Sequence, residues 1–285
     1  MTAEEISNRQ NSEKMLSIQY AARKYFNIAE LQNYIIWTLI IIASIVGLPF
    51  NWHSSVQSAI TISTAIAIYI FEKEKDKNIN SGADLREYFD HYLFGLPYEK
   101  KNEVYLFELA DTIIQRYPEE YRVQAANTGK DTPPGVRNWY DSVYIDNCKT
   151  NPIFHCQCEN KWWDKIMSKF GRGICYAMLF GLISIFVILY RNKSICDILA
   201  VAAAFIEIGI ILAVKILNWR KYDNQSIRIE SIIENYDNYA DEKGAIILQH
   251  AIDERRHLPI VHFNFIHSKL SSQLHDRYAR INRMR

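Results

Sequence analysis

Four apolar stretches, arranged as two close pairs, constrain this chain more than any other feature. They are residues 34–50, 55–71, 173–190 and 195–217, and the first three contain no charged side chain. Each is close to the length of about 17–25 residues that a helix needs to cross a bilayer. None of them has the polar face expected of a half-buried helix in a soluble protein. The pattern therefore predicts two transmembrane helical hairpins.

The basic residues outside these stretches are unevenly distributed. The loop 51–54 has no Lys or Arg and the loop 191–194 has two, whereas segments 1–33, 72–172 and 218–285 have four, fifteen and eleven. Loops rich in Lys and Arg remain on the cytoplasmic side of a membrane. We therefore expect both termini and the central segment to face the cytoplasm.

The predicted fold class is an all-α membrane protein with four transmembrane helices in two hairpins. Residues 1–33 have the spacing of one amphipathic helix leading into the first span. The central insert, 72–172, and the C-terminal tail, 218–285, contain further helical patterns and are expected to form one cytoplasmic domain. Within this domain, helices are predicted at 83–94, 100–117, 245–256 and 263–283.

Composition argues against several functional classes. The formal net charge is only +1, so there is no electrostatic reason to expect a DNA or RNA polymer as partner. No nucleophile–base pair or cofactor-binding loop stands out, and we predict no catalytic residue and no cofactor.

The stretch HCQCENKWWD at 155–164 admits two interpretations. His155, Cys156 and Cys158 could be metal ligands, but the two cysteines are separated by one residue instead of the two to four usual in zinc sites. Trp162 and Trp163 instead resemble an aromatic anchor just before the third span. We expect this stretch to be helical and metal-free, with its tryptophans at the level of the lipid headgroups.

Four polar residues inside or beside the spans are candidates for a pore or for contacts between helices. A carboxylate in a membrane normally faces protein or water, which is the expectation for Glu207. Lys215 lies near the end of its span and is expected to extend its ammonium group to the interface. Ser58 and Thr61 fit either a pore lining or ordinary interhelical hydrogen bonding.

Several motifs resemble the S-4TM family of SMODS-associating four-transmembrane proteins. The stretches QN at 10–11, RNWYD at 137–141 and LPIVHFNFIH at 258–267 agree with it. Two departures are Cys158, where the family typically has Arg, and His262, where it has an acidic residue. The main signature, CQxxNxxWD before the third span, comprises Cys156, Gln157, Asn160, Trp163 and Asp164.

The resemblance implies a pore-forming effector in bacterial anti-phage systems, in which a nucleotidyltransferase makes a cyclic oligonucleotide messenger. Its implied partners are this messenger and the lipid bilayer of the inner membrane. Four helices in one subunit pack too closely for a wide pore, so a conducting form is expected to be a homo-oligomer. A non-conducting membrane sensor or scaffold, or a membrane-anchored enzyme, are the alternatives.

Overall fold

The expected helical fold is confirmed wherever the chain is described. The computed structural model describes residues 2–46, 54–98, 100–140, 152–192, 195–235 and 242–261. Within these ranges the only β pairing is an isolated bridge between Thr128 and Arg137. The helices are α1 Ala3–Gln10, α2 Glu13–Val46, α3 Ser54–Phe94, α4 Glu103–Arg116, α5 Pro118–Ala126, α6 Pro152–Tyr190, α7 Ile195–Glu234 and α8 Glu242–Arg256.

Two stretches among the described residues are long and apolar enough to cross a membrane. They are Glu13–Ser44 in α2 and Gly171–Tyr190 in α6. Only 17% of the apolar window in α6 is buried, so most of this stretch faces outward. The other two expected spans lie within α3 and α7, and their passage through a membrane stays a prediction.

The helices α2 and α3 form an antiparallel pair. Gln32 and Asn78 are joined by a side-chain hydrogen bond of 2.9 Å. Farther along the pair, Gly82 lies so close to α2 that an added Cβ would be 3.1 Å from the Phe26 ring. This antiparallel contact continues each apolar span directly into the helical domain.

The helices α6 and α7 form a second antiparallel pair. Phe186 and Phe205 lie with ring centroids 5.0 Å apart at one end, and Arg172 forms an ion pair with Asp223 at the other. Near this ion pair, Gly171 lies directly against the Trp219 indole. A buried group that includes Ile36, Ile40, Ile68, Ile208 and Leu212 joins α7 to the α2–α3 pair.

The N-terminal segment differs from the expected single helix. It is divided at Asn11 and Ser12 into α1 and α2, and α1 begins with a capping box between Thr2 and Glu5. The break allows α1 to turn back onto the domain, where Ile6 joins the main core. That core also contains side chains from the first half of α2, the second half of α3, and α4: Met15, Ile18, Leu85, Phe89, Leu106 and Ala110.

The remaining predictions in the domain can be compared with the described ranges. The predicted helix at 83–94 is the last part of the much longer α3, and the turn after it contains Gly95 at φ 66°. The predicted helices at 100–117 and 245–256 correspond to α4 and α8. The predicted helix at 263–283 lies outside the described residues.

Candidate functional site

The QN stretch and the RNWYD stretch, separated by almost 130 residues, bind each other. Gln10 Nε2 donates to the Tyr140 carbonyl oxygen at 3.1 Å, and Gln10 Oε1 accepts the Tyr140 N–H at 2.9 Å. Asn11 also makes two hydrogen bonds with one residue: its Nδ2 donates to Asn138 Oδ1 at 2.7 Å, and its Oδ1 accepts the Asn138 N–H at 3.0 Å. Asn138 has a left-handed backbone (φ 51°), which asparagine tolerates better than most residues. Two adjacent side chains thereby fix the path of the 138–140 backbone.

Asp90 in α3 is the centre of the polar network that follows. Its carboxylate is fully buried; it accepts the Tyr140 hydroxyl at 3.0 Å and Arg256 Nη2 at 2.7 Å. Arg86, one helical turn earlier, lies 3.9 Å away and stacks on the Trp139 ring. Burial alone would raise the pKa of Asp90, but the charges of Arg256 and Arg86 outweigh it and hold that pKa below its usual range.

The signature residues Cys156 and Gln157 enter the same network from the start of α6. Both side chains are fully buried. Gln157 Nε2 donates to the Ala245 carbonyl oxygen and to Gln249 Oε1, each at 3.1 Å. Gln249 then donates to Asp253 Oδ1 at 2.8 Å. Gln157 therefore joins α6, which continues into the apolar stretch Gly171–Tyr190, to α8.

A second group of ionisable side chains adjoins this network. His91 Nε2 lies 3.0 Å from Asp253 Oδ2, and the ligand atoms of Glu87, His91 and Asp253 are all within 4.8 Å of one another. Burial would lower the pKa of His91, but its hydrogen bond to Asp253 and the charge of that group raise it. We call the whole assembly the buried polar cluster: Gln10, Arg86, Glu87, Asp90, His91, Tyr140, Gln157, Gln249, Asp253 and Arg256.

A cavity lies at the other end of the domain, where the apolar helices meet it. Its volume is about 420 Å³, and it is bordered by side chains of α2, α3 and α7. At its wall Lys215 donates to Glu72 Oε1 at 2.6 Å, and Glu72 also pairs with Lys75. The Lys215 ammonium lies 5.4 Å from the centre of the Trp37 ring. Three helices are thus held together around one buried ammonium group.

The segment after α8 connects the buried polar cluster with this cavity. Arg256 and His257 contact Asp90 and Glu87, the latter at 3.3 Å. Immediately afterwards, Leu258 and Ile260 pack against the group around Trp219, and residues 259–261 line the cavity. Only a few residues along the chain therefore separate the buried polar cluster from the cavity.

The structure describes the side chains of only some of the site residues that were predicted from sequence. The Lys215 side chain is only 11% exposed and pairs with Glu72, the first residue after the apolar stretch 55–71, so its expected position at the interface stays a prediction. Ser58 lies on the exposed side of α3 and Thr61 is half-buried. The predicted helix over 155–164 is present within α6. The side chains of Glu207, Asn160, Trp163 and Asp164 lie outside the described residues.

Sequence reasoning missed most of the buried polar cluster. Arg86 and Asp90 are spaced i, i+4, as are Gln249 and Asp253, a spacing common on solvated helix faces, and neither pair was singled out from the sequence. A usable signal was present in α3, since Arg86 and Asp90 alternate with the buried Leu85 and Phe89. Polar residues within such an apolar helical pattern indicate a buried network, although the pattern does not identify the partners.

Within the described part of the chain, the cluster has the properties of a structural and coupling element. Asp90, Glu87 and Asp253 each have a cationic neighbour, and the carboxylate of Asp90 is completely enclosed. Buried charges that are paired and hydrogen-bonded hold one particular arrangement of helices, because any other arrangement leaves a charge uncompensated. The cluster joins α1, α3, α6 and α8 in this manner.

Comparison with known proteins identifies the family. The model of a family described as the SMODS-associating 4TM effector domain matches residues 4–281. Neither the curated proteins nor the solved structures gave a significant match. The matched region includes both hairpins, the buried polar cluster and the segment that joins the cluster to the cavity. The chain therefore belongs to the S-4TM family of SMODS-associating effector domains.

Proposed function

We propose that this chain is the membrane-permeabilising effector of a bacterial anti-phage system. In this proposal a cyclic oligonucleotide triggers an oligomer that opens a pore in the inner membrane. The family ties the chain to SMODS-type signalling and to an effector role. The proposal adds four spans, cytoplasmic termini, homo-oligomerisation and conduction. Its main support is a large apolar surface that a soluble protein would not expose.

This surface, the apolar belt, follows one face of three helices. Its members recur at helical spacing and include Phe180, whose exposed fraction is 74%. Contiguous exposed apolar surface of this extent marks a membrane or a protein interface. The belt comprises Ile62, Ile66 and Ile70 in α3, Phe180, Ile183, Val187 and Ile188 in α6, and Ile206, Ile210 and Val214 in α7.

The interior between the helices favours conduction through an oligomer. Ile36 and Ile40 are fully buried and pack with Ile208 and Leu212, so apolar side chains fill the space between α2 and α7. A water-filled path needs polar side chains along it. We propose that the path forms between copies of the chain, where Ser58, Thr61 and Glu207 would supply the polar groups.

The cavity provides a gate in this proposal. The Glu72–Lys215 ion pair holds α3 to α7 at the end of their apolar stretches. The 258–261 segment connects this ion pair to the buried polar cluster, so binding of the messenger to the domain can reach the spans.

Glu207 offers a direct test of the pore. We propose that its carboxyl group faces water or a neighbouring helix, because a lone charge at a helix centre costs about 2.5–3.5 kcal/mol on insertion scales. Glu207→Gln is expected to insert normally while changing triggered leakage, and Glu207→Leu to change it more strongly. Leakage equal to that of the parent for both variants would exclude Glu207 from the conducting path.

The proposed function itself is tested by reconstitution. The purified full chain is placed in liposomes loaded with a fluorescent dye, and a panel of cyclic di- and trinucleotides is added. We expect dye release with one member of the panel and none with its linear counterpart. Specific messenger binding without release would instead support the non-conducting sensor, and product formation from the messenger would support the membrane-anchored enzyme.

A further inference from the structure

Glu87, His91 and Asp253 form a compact group of metal-binding side chains on two helices. Glu87 and His91 are one turn apart on α3, and Asp253 comes from α8. Both carboxylates are about 1% exposed, and the three ligand atoms lie within 4.8 Å of one another. Unlike a surface group of acids, this one combines an imidazole with two carboxylates in a buried site.

The orientation of His91 favours a cation. Its Nδ1 lies 2.6 Å from the Pro97 carbonyl oxygen, which can only accept a hydrogen bond, so Nδ1 carries a proton. Nε2 then points at Asp253 Oδ2 from 3.0 Å. Two lone pairs cannot face each other at this distance without a positive species between them, either a second proton or a metal ion. Histidines that bind metals are typically oriented by a carbonyl in this way.

The surrounding side chains are arranged as an outer shell. Gln249 and Arg256 hold Asp253 Oδ1, which leaves Oδ2 directed at His91. Lys100 contacts Glu87 at 2.8 Å but is half exposed, so its ammonium can move into solvent when a cation enters. The Tyr98 hydroxyl is buried beside the His91 ring and has no hydrogen-bond partner among the described residues. This hydroxyl group can therefore hydrogen-bond to a ligand held by Glu87, His91 and Asp253.

We propose that Glu87, His91 and Asp253 bind a divalent cation of the zinc class, which joins α3 to α8. Imidazole nitrogen and carboxylate oxygen are both zinc ligands, and three protein ligands leave a fourth position for water. Zinc–ligand bonds of about 2.0–2.2 Å require ligand atoms closer together than the present limit of 4.8 Å, so the Glu87 carboxylate would move inward on binding.

The test uses the full chain in detergent after treatment with a chelator. Zinc chloride is titrated by calorimetry, and thermal unfolding is recorded with and without zinc. We expect one zinc per chain and a higher unfolding temperature with zinc. His91→Asn and Glu87→Gln are each expected to weaken zinc affinity at least tenfold. The matched controls are His250→Asn, an exposed histidine on α8, and Cys158→Ser, which reports on the alternative site at 155–158; both should bind like the parent.

The proposal is wrong if the parent chain shows no saturable zinc binding. It is also wrong if Glu87→Gln binds zinc as tightly as the parent, or if Cys158→Ser abolishes binding. Should His91→Asn fail to fold, Glu87→Gln decides the question, since it preserves the size of the side chain and one acceptor oxygen while it removes the charge.

Discussion

The buried polar cluster and the apolar belt both depart from the usual distribution of side chains in a soluble protein. The cluster buries charged groups, and the belt exposes apolar ones. In the cluster, Asp90 and Asp253 are almost completely enclosed. In the belt, Phe180 and Ile188 are more than half exposed. A soluble protein avoids both arrangements, because buried charge and exposed apolar surface are each unfavourable in water.

The difference between the two regions lies in what compensates each cost. Within the cluster the compensation is internal, because the Asp90 carboxylate accepts hydrogen bonds from Tyr140 and Arg256, which lie far from it in the sequence. In the belt, the exposed side chains are not covered by other described residues, and in the proposed function lipid or another copy of the chain covers them. The cluster should therefore be sensitive to single substitutions in any solvent, whereas the belt should be sensitive to its surroundings.

The largest expected effect is at Asp90. Asp90→Asn leaves the buried guanidinium of Arg256 without its closest counter-charge, which should cost about 3–5 kcal/mol of unfolding free energy. Thermal unfolding in detergent, followed by circular dichroism, measures this loss. Asp111→Asn, on the exposed side of α4, is the matched control and should unfold like the parent. Equal behaviour of both variants would show that the cluster is not the stabilising centre.

A smaller effect is expected where the domain and the belt meet. A Cβ at Gly171 would lie 2.0 Å from Trp219, whose ring is buried and cannot easily move. Gly171→Ala should therefore force α6 and α7 apart and cost about 1–3 kcal/mol of unfolding free energy.

Two residues later, Gly173 has no atom within 4 Å of an added Cβ. Gly173→Ala is thus the control for Gly171→Ala, with the same change in helix propensity and no clash. Thermal unfolding of the two variants side by side should separate the close contact from the general effect of replacing glycine. If Gly171→Ala is as stable as Gly173→Ala, the close packing of α6 on α7 at this point is incorrect.

The features that were predictable from sequence are those that depend on local patterns, and the features that were missed depend on contacts between distant residues. The helices follow from local patterns, so α4 and α8 were anticipated to within a few residues. The pairing of Gln10 with Tyr140 depends on residues separated by 130 positions, and no local pattern contains it. The ion pair of Lys215 with Glu72 was not predicted for a related reason, since the two residues lie on different helices. Apolar periodicity reports what is buried, but not which polar groups are buried together.

The break between α1 and α2 illustrates a further limit. A continuous helical spacing runs through residues 1–33, yet the helix ends at Gln10. Gln10 and Asn11 use their side chains to bind the 138–140 backbone, and this tertiary contact fixes the turn. The family resemblance alone drew attention to the QN stretch. Its physical role became clear only when the structure showed the 138–140 backbone that its side chains bind.

The central claim, that the Glu72–Lys215 ion pair holds the spans closed, is most directly tested by charge reversal. Glu72→Lys, Lys215→Glu and the double variant are reconstituted in dye-loaded liposomes, with Glu74→Lys, an exposed position, as control. Each single reversal places like charges together and should cause dye leakage without messenger. The double variant restores the pair between positions 72 and 215 but leaves Lys75 beside a lysine at position 72, so it should leak less than either single variant, and Glu74→Lys should remain as tight as the parent. Single variants that stay closed and respond to messenger like the parent would contradict the account.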